Sequence, residues 1–318
     1  AGRSAAPRAR TEGRQWIGLG MAAATRGNFL RPSMCHVRLE ADGTLTARIS
    51  MTDIGTGSYT IFTQIAAEML GLPPERVRME LGDSDLPETA GSGGSFGAAS
   101  AGSALFDACQ RLRGRIAERA GIAADAAVFA DGVVRGDGRS LSLQELAAAN
   151  VLSADGEIKP GRLLKDYSQQ AYGAQFAEVS VDMDTGEIRL RRMLGVFAAG
   201  RILNMKTAVS QALGGMIWGA GSALTEQAVV DKRYGFFVNH DLAGYHVPVH
   251  ADIPAIEAVF LDEIDDKANP LKIKGVGELG ICSAGAAIAN AVFNACGVRI
   301  RDYPLTLDKV LAGLGPEV

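Results

Sequence analysis

Residues 272–296 read KIKGVGELGICSAGAAIANAVFNAC. Gly275, Gly277 and Gly280 spell G-x-G-x-x-G between an apolar run, Leu271–Lys274, that reads as a strand and a run from Ser283 that reads as a helix. A dinucleotide fingerprint at this place would make the chain a doubly wound parallel α/β protein. The context argues against it. That domain carries its fingerprint on the first strand and needs βαβ units after it. Here only a strand candidate, VRIRDY (298–303), and a short helix, LDKVLAG (307–313), follow, and the ribose-binding acid could only be Asp302. Glu278 also stands between the second and third glycines, where its carboxylate would face the pyrophosphate. The loop therefore presents an acid. Two readings of Glu278 stay open: an acid favoured by a helix N-terminus, worth about 0.3–1 kcal/mol, or a general base held by glycines that let another group approach.

Outward from this stretch, periodicity alternates between strand and helix. MCHVRLEADGTLTARISMTD (34–53) is a hairpin turning at Asp42-Gly43. IFTQIAAEMLG (61–71) is a helix stopped by Gly71. A short strand ends PPERVRMELGDSD (73–85), and TAGSGGSFGAASAGSA (89–104) is a glycine- and serine-rich loop. LFDACQRLRGRIAERAG (105–121) and SLQELAAAN (142–150) are helices. The later half repeats the scheme. QFAEVSVDMDTGEIRLRRMLGVFAAG (175–200) is a hairpin turning at Asp184-Thr185-Gly186, and AVSQALGGMIWGAGSALTEQ (208–227) is a helix. Gln64 and Gln211 recur near the helix starts. The expected fold class is α+β: two related units of curled antiparallel or mixed sheets with helices on one face. The expected boundaries are a disordered, linker-like tail at 1–13, a first unit at 14–165 and a second at 166–318.

Composition narrows the function classes. The 318 residues carry net charge −4 and are 47% hydrophobic and 21% charged, with 39 glycines. No broad basic field exists for nucleic acid or an anionic membrane, and no apolar run reaches the roughly 18 residues of a membrane span. Cys35, Cys109, Cys282 and Cys296 form no C-x-x-C and read as small core residues. His246 and His250 flank Pro248, so they are no helical metal pair. No Walker loop is present. The acidic run LDEIDDKANP (261–270) reads as a solvated turn.

Three further loops look built to hold a ligand. TDIGTGSYT (52–60) places Gly55 and Gly57 around Thr56 before a helix, where backbone N–H groups could bind an anion. GSGGSFGAASAGS (91–103) would let a flat ligand reach the backbone. AAGRILNMKTAVSQ (198–211) carries Arg201 and Lys206, a possible diphosphate grip. With the Glu278 loop, these suit one extended, phosphate-bearing ligand.

IKGVGELGICSAGAAIANAVFNACGVRIRDYPLT (273–306) resembles the C-terminal signature of the molybdenum-binding subunit of the xanthine dehydrogenase and aldehyde oxidase family. Within that family MTDIGTGSYTIFTQIAAEMLG (51–71), AGSGGSFGAASAGSA (90–104) and GSALTEQAVVDK (221–232) look closest to the bacterial periplasmic aldehyde oxidase subunit. The resemblance covers 15–318 and corresponds to the C-terminal part of such a subunit. It implies the cofactor molybdopterin cytosine dinucleotide carrying molybdenum. By match of motif Ile54, Gly55 and Thr56 would contact it, as would Gly97, Ala98, the stretch Arg201, Ile202, Leu203, Asn204, Met205, Lys206 and Thr207, then Gln211, and Lys274, Gly275, Val276 and Gly277. Glu278 matches the family's catalytic glutamate, the general base in oxidation of aldehydes to carboxylic acids with water-derived oxygen. No protein side chain need ligate the metal. The implied partners are the N-terminal part of the same subunit, an iron-sulfur subunit and an FAD subunit, and the implied compartment is the periplasm. Hydroxylation of a purine or other N-heterocycle is the alternative, as is a non-catalytic piece; the isolated chain is expected to be inactive. Two departures stand out. Thr56 replaces a glutamine found in many members, which points to a backbone contact there, and Leu279-Gly280 replaces a proline after the glutamate.

Overall fold

The computed structural model describes residues 2–315. The chain opens with β1 (Thr11–Glu12) and the long β2 (Gln15–Gly27), then β3 (Ser33–Leu39) and β4 (Leu45–Ile49). The last two form the hairpin at Asp42-Gly43, registered Leu39↔Leu45 to His36↔Arg48. Cys35, Val37 and Leu39 are buried while Met34 and Arg38 are exposed, the period-2 signature of a half-covered sheet. Next come α1 (Ser58–Leu70) and β5 (Val77–Leu81), which lies parallel to β4. Gly71 ends α1 at φ 60°, and a Cβ there would meet the Phe129 backbone at 2.5 Å, so glycine is required twice over.

The helix α2 (Gly97–Ala120) begins eight residues before the expected start at Leu105, so the second half of the supposed 89–104 loop is helical. Its small residues Ala101, Ala104 and Ala108 let it press against the sheet. A three-stranded flap, β6 (Val128–Ala130), β7 (Val133–Gly136) and β8 (Arg139–Ser142), leads into α3 (Leu143–Ala148), whose Ser142–Glu145 capping box satisfies the helix start. Then β9 (Leu152–Ile158) returns to pair with β3, giving the sheet order β5-β4-β3-β9.

After a one-turn α4 (Leu163–Asp166), β10 (Gln170–Asp182) and β11 (Ile188–Ala198) form the second hairpin. It is followed by α5 (Met205–Leu224), an irregular arm at 225–255, β12 (Ile256–Phe260) parallel to β11, then α6 (Ala284–Cys296) and α7 (Leu307–Leu314). The second sheet runs β1-β2-β10-β11-β12. The two units share one topology: a hairpin, a helix, a strand parallel to the hairpin's second strand, and a helix over the first. In the second, α6 lies so close to β2 that a Cβ on Gly18 or Gly20 would come within 2.0 or 2.1 Å of the carbonyls of Ala291 and Ala287.

Three expectations need correction. First, β2 falls inside the 14–165 segment yet pairs with β10 from Gln15↔Asp182 to Gly27↔Gln170, so it belongs to the later sheet. Second, residues 2–13 of the supposed tail are held in place. Thr11–Glu12 pairs with β2, the Arg8 Nε donates to the Cys296 carbonyl at 2.8 Å, and the Arg8 guanidinium lies 4.9 Å from the Trp16 ring centre. Third, neither Leu271–Lys274 nor VRIRDY forms a strand; Ile273 makes a single bridge to Gly200.

The glycine-rich segment 271–280 lies between two cores. Leu271 and Ile273 are buried with Val37, Phe62 and Leu105 in the first, whereas Leu279 is buried with Phe197, Met216 and Ile288 in the second. Gly275–Glu278 is the span between them.

Candidate functional site

That span faces a cavity of ≈ 440 Å³. Four loops converge on it. From the β4–α1 loop come Ile54, Gly55 and Thr56; from the start of α2, Gly97 and Ala98; from the β11–α5 loop, Arg201, Ile202, Leu203, Asn204, Thr207 and Gln211; and from the span itself, Lys274, Gly275, Val276, Gly277 and Glu278. Of the residues singled out in the sequence, Met205 and Lys206 do not line the cavity. Both lie in the exposed first turn of α5. Met51 and Trp218, in none of the loops singled out in the sequence, also line the cavity, as do Ser92 and Ser95 of the 91–103 loop, which were not named individually.

The first turns of α1, α2 and α5 all border the cavity. Their N–H groups are not equally free. The Asp53 carboxylate accepts from Gly55 N (2.9 Å), Thr56 N (3.0 Å), Gly57 N (3.3 Å) and Tyr59 N (3.2 Å). The glycine turn read as an anion nest is thus filled by its own aspartate, and the Thr56 N–H expected to contact a ligand is committed to Asp53. Burial works against the charge on Asp53, but those four donors outweigh it and hold its pKa below the usual carboxylate value. Asn204 caps α5 by accepting from Thr207 N at 3.1 Å, and its amide donates to Gln64 at 3.1 Å; Gln211 lines the cavity and Gln64 does not. The start of α2 has no side-chain cap.

Cations at the site are paired. Arg201 binds Glu68 at 2.6 Å across the two units. Lys274, 4% exposed at its side chain, binds Glu263 at 2.8 Å and Asp265 at 3.1 Å. Burial alone would lower the Lys274 pKa, yet the two carboxylates raise it above the ordinary lysine value. Glu263 also accepts from Gly200 N at 2.7 Å. The run read as a solvated turn is therefore a brace that ties the β11–α5 loop to the Glu278 loop.

Glu278 is fixed by groups that no local pattern announces. Its backbone N–H donates to Ser95 Oγ at 2.8 Å, and Gly275 N donates to Asn28 Oδ1 at 3.4 Å. A Cβ on Gly275 would lie 1.9 Å from the Ser95 carbonyl, so the two loops touch backbone to backbone. From behind, the fully buried Gln175 donates through Nε2 to the carbonyls of Gly280 and Cys282, each at 2.7 Å. The Glu278 carboxylate forms an ion pair with Arg26 at the end of β2. Arg26 precedes Glu278 by 252 residues, a separation at which only the β2–β10 pairing could have revealed it. Cys282 is half-buried, with Sγ donating to the Glu278 carbonyl at 3.2 Å, rather than a plain core residue; burial pushes its thiol up. The other three cysteines are buried, and burial pushes Cys109 up to about 12.

Among the described residues, no group of three or more His, Cys, Asp or Glu could hold a metal, and no helix is long and apolar enough to cross a membrane. His246 and His250 are exposed and share no helix.

Residues 1–254 match the family model described as the molybdopterin cofactor-binding domain. The chain is 52% identical over 316 residues to the aldehyde oxidoreductase molybdenum-binding subunit PaoC of Escherichia coli K12, covering 99% of this chain and 43% of that protein. It is 31% identical over 300 residues to the xanthine dehydrogenase molybdenum-binding subunit of Escherichia coli O157:H7, covering 87% of this chain and 39% of the relative. Among solved structures, quinoline 2-oxidoreductase from Pseudomonas putida 86 superposes with a TM-score of 0.86 at 25% identity, over 95% of this chain and 42% of that one. Aldehyde oxidoreductase from Desulfovibrio desulfuricans ATCC 27774 does so with a TM-score of 0.79 at 27% identity, over 96% and 33%. The chain spans less than half the length of these relatives. The match to the domain model over most of the chain shows that it belongs to the molybdopterin cofactor-binding domain family.

Proposed function

We propose that this chain is the part of a molybdenum hydroxylase subunit that supplies the catalytic base and one wall of the cofactor site, and that the assembled enzyme oxidises aldehydes, aromatic ones foremost, to carboxylic acids. The observation that carries this reading is the position of Glu278, on a glycine-flanked span at the meeting point of four loops.

The wall fits a flat, anionic cofactor. A Cβ on Gly55 would have no atom within 4 Å, so Gly55 presents bare backbone to open space, whereas one on Gly277 would make ordinary contacts with Ser95 Oγ at 3.6 Å and Gln211 Oε1 at 3.7 Å. The start of α2, which has no side-chain cap, adds partial positive charge. The resemblance to the bacterial aldehyde oxidase subunit supports the cytosine dinucleotide form of the cofactor. When bound, the cofactor supplies the two-electron acceptor and activates a water-derived oxygen.

The chain's own residues do the rest. Ser95 and Gln175 hold the backbone on either side of Glu278, and Arg26 orients its carboxylate. Glu278 is positioned to accept the proton released as oxygen adds to the carbonyl carbon, the role of a general base. The 52% identity to PaoC against 31% to the xanthine dehydrogenase subunit favours an aldehyde over a purine. Electron transfer onward calls for an iron-sulfur subunit and an FAD subunit, and the resemblance to the periplasmic enzyme supports a periplasmic location. The N-terminal part of the same subunit would complete the cavity.

Glu278→Gln in the assembled enzyme should lower turnover of benzaldehyde by about 10²–10⁴-fold, with molybdenum and pterin content unchanged. Retained turnover removes Glu278 from the base role. Faster turnover of xanthine than of benzaldehyde by the unaltered enzyme redirects the substrate assignment.

A further inference from the structure

Glu278 borders the cavity, but its ion-pair partner Arg26 lies outside the cavity lining. Beside Arg26 the segment joining β2 to β3 and the turn before α2 bring Phe29, Arg31 and Phe96 together, also outside the lining. The Arg31 guanidinium lies 5.6 Å from the Phe96 ring centre and 6.0 Å from that of Phe29. Each ring rests against a glycine. A Cβ on Gly94 would meet Phe96 at 2.8 Å and Arg26 Nη2 at 3.7 Å, and one on Gly27 would meet Phe29 at 2.8 Å. From Glu278 outward the order is therefore Arg26, the Gly94–Phe96 turn, then Arg31. The β2–β3 segment is fixed to its surroundings: Asn28 Oδ1 accepts from Gly275 N at 3.4 Å, and Arg31 N donates to Ser100 Oγ on α2 at 2.9 Å.

Arg31 differs from the other arginines that lie over rings. Arg8, Arg113, Arg233 and Arg299 lie over Trp16, Phe129, Tyr234 and Phe293. Each of these also donates to an oxygen, on Cys296, Met69, Asp231 and Asn290 respectively. Among the described residues the Arg31 guanidinium has no such acceptor and no carboxylate partner. It is exposed, and Phe29 beside it is 50% exposed. A planar cation with free donors, set beside two rings, suits a ligand that joins an aromatic ring to an anion.

We propose that Arg31 selects, among aromatic aldehydes, those that carry an anionic group such as a carboxylate on the ring. The proposal rests on the reading of Glu278 as the base of an aldehyde-oxidising enzyme. A cofactor that fills the cavity leaves the substrate to approach Glu278 from the side of Arg26 and the two rings. There Phe29 and Phe96 offer apolar contact to the substrate ring. The Arg31 fork offers paired N–H donors to the carboxylate, and the formyl group is left toward Glu278. In a chain of net charge −4, an unpaired cation at this place also draws anions locally.

The test compares kcat/KM for 4-formylbenzoate and for benzaldehyde in the assembled enzyme. Arg31→Gln should lower the ratio of the two by about fivefold, the upper range for an exposed ion pair, with the change carried by KM for 4-formylbenzoate. Arg31→Glu should turn the preference toward 4-formylphenyl-trimethylammonium. Arg78→Gln, which removes an exposed arginine on the first sheet, should leave the ratio at the parent value. Raising the ionic strength should lower the ratio in the parent and leave it flat in Arg31→Gln, because an exposed charge pair is screened by salt. A ratio that Arg31→Gln does not change, in an enzyme that still oxidises benzaldehyde, overturns the role of Arg31 alone. So does a parent ratio that ignores ionic strength, even where Arg31→Gln fails to assemble. A parent enzyme that oxidises neither aldehyde overturns the reading of the site as well.

Discussion

The two units of this chain start from one topology and have been put to different uses. In the first, the turn before the helix is closed on itself: Asp53 takes the N–H groups of Gly55, Thr56, Gly57 and Tyr59, and the sheet beyond is charged. In the second, the loop before α6 is held from outside, by Ser95 in front, Gln175 behind and the Lys274 brace below, and its carboxylate reaches across to Arg26. The same scaffold can thus hide its polar backbone in one copy and present a side chain in the other. What differs is where the fixing groups come from. A self-capped turn needs no neighbour, whereas a loop fixed by distant residues depends on the packing of both units.

That contrast can be broken at its supports. The largest structural effect is expected at Gly20, where a methyl group would meet α6 backbone at 2.1 Å. Gly20→Ala should destabilise the chain by about 3 kcal/mol, the upper range for overpacking, read as the denaturant midpoint; the same change at Gly138, which has nothing within 4 Å but a φ of +74°, isolates the cost of backbone strain alone. A midpoint shift at Gly20 no larger than at Gly138 would show that β2 and α6 can part freely.

Lys274→Met comes next. It leaves Glu263 and Asp265 facing each other without their cation, at an expected cost of about 2–3 kcal/mol, less than for a fully buried pair because both acids keep some exposure. Because the Lys274 pKa is raised in the folded state, its contribution is complete below the ordinary lysine value of 10.5 and is lost as pH climbs past the folded value. The unaltered protein should therefore lose stability on the alkaline side more steeply than Lys274→Met, in a urea titration carried out at successive pH values.

Asp53→Ala is the smallest of the three, about 1–2 kcal/mol, as for loss of a helix cap. Here the sign is opposite. The Asp53 pKa is lowered on folding, so its contribution is present above the ordinary value of 3.8 and fades as pH falls through the folded value. Acid unfolding of Asp53→Ala should be shallower than that of the parent. Equal slopes would mean that the turn is satisfied by solvent and that its self-capping is not what separates the two units.

Local patterns make much of this legible from residue order alone. The hairpins at Asp42-Gly43 and Asp184-Thr185-Gly186, the helix stop at Gly71, the duplicated α+β plan and the prominence of Glu278 all follow from period, turn chemistry and spacing, because each involves neighbours in sequence. The misread parts share a cause as well. The start of α2 reads as a loop because Gly97, Ser100, Gly102 and Ser103 are poor helix signals, yet they are small so that the helix can approach Met51 and the sheet. The acidic run reads as solvated because Lys274, its partner, lies beyond a turn. The tail at 2–13 reads as free because the α6 carbonyls that hold Arg8 lie nearly the whole chain away.

Residue order alone carries the α+β class, the repeat and the carboxylate among glycines, since those are written at short range. It took the packed fold to show that β2 joins the later sheet, that Arg26 faces Glu278 and that Asp53 fills the turn a ligand was expected to use. The physical reason is that strand pairing and buried ion pairs are chosen by the whole core at once, so a residue's partner is set by which faces must leave water together and not by its neighbours in the chain.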